Sequence, residues 1–162
     1  MRGAAWLAVL TLSACAAAPP PDPATPQMGL IPDSGGLQPT RTHLRIDFSR
    51  AEAGAIDTVS RILGHRPAEV TDQAECGAGP VRAVRWQSGL TLNFQDGDFS
   101  GWVVDAPGLA VAGGYQVGMA APDLALQRTS LGREFTAGGV FGLVDDSGRV
   151  AALWSGTTCF FR

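Results

Sequence analysis

Two pairs of landmarks recur at one spacing, and they limit the fold of this chain more than any other feature. Leu63-Gly64 and Leu131-Gly132 stand 68 residues apart, and so do Trp86 and Trp154. After each tryptophan come Ser-Gly and an apolar run, WQSGLTLNF in the first half and WSGTTCFF in the second. Landmarks sharing an offset are the signature of a duplicated unit whose copies pack on one another.

The content of each unit is read from periodicity. Leu44, Ile46 and Phe48 alternate with His43, Arg45 and Asp47, the period of a half-buried strand. Ser49 with Glu52 three residues on forms a capping box. It predicts a helix from about Arg50 to Leu63, with Ala55, Ile56, Val59, Ile62 and Leu63 as its apolar stripe and Gly64 as its stop. Strands are predicted over 69–75, 81–86, 90–94 and 98–104, with Asp96-Gly97 as a hairpin turn. In the second half, Pro122 suits the first turn of a helix running to about Arg128. A hairpin follows, 139–144 with 149–154 across the turn 145–148, and a last strand at 157–161 carries Cys159. The expected fold class is therefore α+β: two tandem copies, 43–105 and 106–162, of a helix packed on a three- to four-stranded antiparallel β-meander.

Residues 1–15 read MRGAAWLAVLTLSAC. Arg2 and the amino terminus form a positive n-region, and residues 4–12 an apolar segment too short to span a bilayer. Leu12-Ser13-Ala14-Cys15 resembles the lipobox of bacterial lipoproteins at every position. The resemblance implies cleavage before Cys15 and lipidation of its thiol, with three acyl chains holding the chain on a membrane. The alternative is an ordinary secretory signal cut near residues 13–17, or an uncleaved anchor. Ala16 after the cysteine implies, in Gram-negative lipoproteins, sorting to the outer membrane, with the domain facing the periplasm.

Cleavage leaves 148 of the 162 residues, a one-domain length. Residues 16–42 hold seven of the eleven prolines and are expected to form a disordered tether, reaching on the order of 80 Å when extended. All twelve basic residues are Arg, set against fifteen acidic ones, a balance that argues against nucleic-acid partners. With Cys15 lipidated, Cys76 and Cys159 remain as a pair. In an oxidising compartment a disulfide is expected, closing a loop of roughly 80 residues worth about 4–5 kcal/mol in chain entropy; two buried free thiols are the alternative.

The stretch Gly118-Met119-Ala120-Ala121-Pro122-Asp123-Leu124 resembles the G-M-(T/S)-x-x-(E/D)-(V/L) helix start of SmpA/OmlA-type outer-membrane assembly lipoproteins and of β-lactamase-inhibitor-protein-like repeats. Leu131-Gly132 stands where those families place their L-G. Ala120 replaces the usual Thr or Ser, and residues 49–64 lack the G-M pair. The resemblance implies one helix packed on each meander and a partner-binding role.

No catalytic constellation emerges. The two histidines, His43 and His65, have no G-x-S-x-G nucleophile elbow to serve. Neither do they stand at metal-ligand spacing from Cys76 or Cys159, so no metal and no cofactor are expected. Asp96, Asp98 and the run 145–148 read as turn chemistry. Phe160 and Phe161 are adjacent and must face opposite sides of a strand. One of them, with Trp102 or Tyr115, is expected on the open face of the sheet as a partner anchor. The functional expectation is a membrane-anchored, non-enzymatic binding or scaffold module with an envelope protein as partner. One alternative is an inhibitor of a periplasmic or extracellular enzyme that inserts the loop bearing Asp96 and Asp98; a remote one is an envelope hydrolase.

Overall fold

The computed structural model describes residues 29–159. The signal segment, Cys15, the first part of the proline-rich stretch, Phe160 and Phe161 lie outside the described residues. A β-hairpin opens the described chain, β1 (Leu30–Asp33) with β2 (Gly36–Pro39), and β3 (Ile46–Asp47) adds to it. Helix α1 (Glu52–Leu63) follows, then β4 (Glu69–Gln73), β5 (Val81–Arg85), β6 (Leu90–Gln95) and β7 (Asp98–Val104). After a long connection come β8 (Gln127–Arg128), β9 (Arg133–Ala137), β10 (Val140–Val144) and β11 (Val150–Gly156). The last eight strands form one antiparallel sheet in the order β4-β5-β6-β7-β11-β10-β9-β8. Two hairpin meanders thus meet along their final strands, with Leu153 opposite Val104 and Ser155 opposite Trp102.

This corrects the tandem α+β expectation. Among the described residues α1 is the single helix, and the landmarks at the 68-residue offset are not equivalent. Trp86 sits in the β5–β6 turn in the core, whereas Trp154 lies within β11; Leu63 ends a helix, whereas Leu131 lies in the β8–β9 connection. The second helix fails for physical reasons. Its segment is only about two turns long, which rarely pays for nucleation, and its flank is used by the sheet. Gly118 N–H donates to the Val150 carbonyl at 2.8 Å, Val150 N–H to that of Met119 at 2.9 Å, and Ala121 N–H to that of Gly148 at 2.8 Å. Residues 117–121, read from the sequence as a helix start, therefore form a turn bonded to the β10–β11 hairpin. Leu124 and Leu126 are left exposed.

One face of the large sheet carries the core. Leu90, Leu92, Trp102, Val104 and Leu153 pair on it across β6, β7 and β11 and are all fully buried. The small sheet and α1 cover this face, contributing Leu30, Leu37 and Ile46 from the former and Ala55 and Val59 from the latter. Residues 30–39 belong to the stretch expected as tether, yet Leu30 and Leu37 are among the most buried side chains. The alternation Leu30, Pro32 and Leu37, Pro39 around Ser34-Gly35 was masked there by proline content.

Helix α1 ends as expected, with Gly64 in the left-handed region at φ 77°. Its start differs. Ala51 is the N-cap and makes no side-chain cap; Ser49 lies outside the helix at φ 69°. The Glu52 N–H instead donates to the Gly97 carbonyl at 2.8 Å, and Ala51 bridges Asp98. The β6–β7 turn, with Asp96 and Gly97 both at positive φ, thus does the capping, while the Glu52 carboxylate reaches Arg82 at 3.0 Å.

Candidate binding cleft and the surrounding surface

A concavity of about 700 Å³ opens between the β2–β3 connection and α1. Pro39, Ile46 and Ile62 give it apolar walls, and His43, Arg45, Arg50 and Arg61 stand around it. The connection is held from within: the Gln38 side-chain amide donates to the Pro39 carbonyl at 3.0 Å and the Thr42 carbonyl at 3.2 Å. Leu44, at its crest, is 79% exposed.

Arg45 is fixed by a fork. Its two terminal nitrogens donate to the two Asp33 carboxylate oxygens at 2.7 and 2.9 Å, and Nε donates to Asp47 at 2.9 Å. Such bidentate pairing sets geometry as well as energy. The Arg45 guanidinium, helped by the Gly35 N–H, holds the Asp33 carboxyl below its ordinary pKa against the opposing effect of burial. Arg61 pairs with Asp57 one turn back on α1. Arg50 makes no ion pair among the described residues. Arg45 is thus matched by two carboxylates, Asp33 and Asp47, and Arg61 by Asp57, so the charges around the cleft balance and its free positive charge is local to Arg50. Its chemistry suits a ligand that brings a carboxylate together with an apolar side chain.

The other expected partner-binding residues are distributed elsewhere. Trp102 is not a surface anchor: it is fully buried, and its indole N–H donates to the Asp33 carbonyl at 2.7 Å. It joins the large sheet to the β1–β2 turn, a contact that strand alternation alone does not reveal. Tyr115 is half-buried, tilted against Phe135 with ring centroids 5.4 Å apart. It lines a small hollow of about 210 Å³ with Asp33 and Ser34. Asp96 and Asp98 are exposed at the β6–β7 turn, on a tip clamped against α1 rather than projecting. Asp96 borders a second small cleft, about 260 Å³, in which Arg82 is held by Glu52 and Asp72. None of these residues lines the large cleft.

Cys76 and Cys159 come together although 83 positions apart in sequence. They are adjacent free thiols in the structure, not the expected disulfide. Cys159 lies beyond β11, in an extended segment rather than in a strand. Burial, reinforced by the neighbouring Cys76, pushes the Cys159 thiol up to about 11.

Comparison of the chain with protein-family models, with curated proteins and with solved structures gave no match.

The cleft residues carried little sequence signal. His43, Leu44 and Arg45 alternate like a strand, yet only Ile46–Asp47 is one. The exposure of Leu44 follows from the loop that replaces the strand's beginning.

Proposed function

We propose that this chain is a membrane-anchored lipoprotein of the cell envelope, held at Cys15 and facing the periplasm at the outer membrane. There it acts as a non-enzymatic binding or scaffold module. The observation supporting the binding role is the cleft beside α1, lined both by the uncovered Leu44 and by Arg50, which makes no ion pair among the described residues. An apolar cleft of about 700 Å³ with a cation at its lip can take up an apolar side chain and pair a neighbouring carboxylate. The partner in this reading is an envelope protein presenting an apolar residue beside a carboxylate.

Crosslinking the native lipoprotein in intact cells, followed by purification, tests the reading. The native form is expected to bring down one stoichiometric outer-membrane protein, with a diacylated or triacylated Cys15 at its amino terminus by mass spectrometry. Leu44→Asp with Arg50→Glu is expected to lower that recovery at least tenfold, and Cys15→Ser to abolish it. Undiminished recovery with the cleft variant would remove the cleft from the proposal. The inhibitor reading keeps one supporting observation, the rigidly mounted, exposed Asp96 and Asp98. Recovery of the same soluble enzyme with lipidated and released forms, lost on substituting those two aspartates, would replace the scaffold with it. Recovery of no protein would overturn both.

A further inference from the structure

Beyond β11 the chain turns at Gly156, and residues 157–159 cross the large sheet on the face opposite the core. They pass over β7 and β6 toward the β4–β5 connection. The crossing is built into the strands beneath. Thr157 N–H donates to the Ser100 carbonyl at 2.8 Å, and the Asn93 side-chain amide donates to the Thr157 carbonyl at 2.8 Å. Asn93 is only 4% exposed, so this bond satisfies a polar group that burial would otherwise leave costly. At Gly101 a Cβ would overlap the Thr157 backbone; the strap lies close because no side chain is there. At its far end the Cys76 thiol, 7% exposed, sits with Sγ 3.8 Å from the Thr158 carbonyl and in contact with the Cys159 thiol.

We propose that Cys76 and Cys159 are the site of an intramolecular disulfide that clasps this C-terminal strap across the outer face of the sheet. The inference stands on the strap and does not rest on the binding cleft. In the reaction, the more accessible Cys159 attacks the disulfide of a thiol–disulfide donor, releasing one donor thiol and forming a mixed disulfide. Cys76 then displaces the second donor thiol. Two S–H bonds are lost, one S–S bond forms, and the two electrons and two protons leave in the donor's dithiol. A thiol held up in pKa is a poor leaving group, so the finished bond exchanges slowly. That makes it a structural clasp and not a catalytic dithiol, whose nucleophile would be held low.

The test uses the chain carrying Cys15→Ser, so that Cys76 and Cys159 are its two thiols, equilibrated with oxidised glutathione or with dithiothreitol, which separates the pair's chemistry from the question of export. The oxidised form is expected to be a monomer two hydrogens lighter than the reduced one, with Cys76 and Cys159 refractory to maleimide until reductant is added. It should melt on the order of 10–20 °C higher. Amide exchange at Thr157 should slow at least tenfold, an outcome that mere bond formation between mobile segments would not give. Free labelling of both thiols after oxidation, a disulfide-linked dimer, or equal Thr157 exchange in the two forms would overturn the proposal. Since one protein is compared with itself in two redox states, and neither Cys76 nor Cys159 is substituted, a folding defect cannot mimic any of these outcomes.

Discussion

Replacing Asp33 by Asn keeps the size of the side chain and its bond to the Gly35 N–H, but removes the charge that Arg45 grips with both arms. Charge-assisted bonds at a half-buried site contribute about 1.5–3 kcal/mol, and Asp33→Asn is expected to cost that much in urea unfolding. The pH dependence has a definite sign. The folded-state pKa of Asp33 lies below its unfolded value, so its stabilisation is complete above roughly pH 4. It is lost as pH falls through the folded value. The gap between wild type and Asp33→Asn should therefore be constant near neutrality and close in acid. A gap that widened in acid would contradict the pairing. The effect reaches beyond one ion pair, because the Asp33 carbonyl also receives the Trp102 indole, so the turn that positions the cleft's Arg45 is the turn that meets the core.

At the start of α1, sequence and structure give opposite expectations, and a substitution separates them. If Ser49 capped the helix, Ser49→Gly would remove the cap bond. With Ser49 at φ 69° and outside the helix, glycine relieves a left-handed backbone and is expected to stabilise by up to about 1 kcal/mol, read from the denaturation midpoint. The strands between 81 and 104 were legible because each alternates and the turns between them are Ser-Gly and Asp-Gly, whose backbone preferences are local. The Gly64 stop was legible for the same reason. What was not legible depended on distant partners. The Gly97 carbonyl substitutes for the serine cap, β10–β11 holds residues 118–121 in a non-helical turn, and Leu30 with Leu37 finds its burial on a sheet that begins some forty residues later. In the cleft, the arginines were visible as residues but not as neighbours, since the β2–β3 connection and α1 meet only through the fold. The cysteine pairing was legible as arithmetic, and the strap that brings it about was not.

At the scale of the whole molecule, the sheet is two meanders sharing one seam, β7 against β11. Each meander is made of neighbours in sequence and can form locally, whereas the seam joins strands about fifty residues apart. Such non-local pairing is slow to form because the loop between must close first. Synthesis delivers the N-terminal strands first, so β7, seven residues long and rich in buried apolar positions, has no partner on one side until β11 has been made. For that interval it is an open template for any other strand. A chain ended after Gly148 makes the interval permanent, and it is expected to sediment as aggregate under conditions where the full-length chain stays in the supernatant. Equal solubility of the two would mean that β7 is sheltered in some other way. The strand that completes the sheet is thus also the one that ends its exposure to its neighbours, so the time between making β7 and making β11 becomes a quantity on which selection can act.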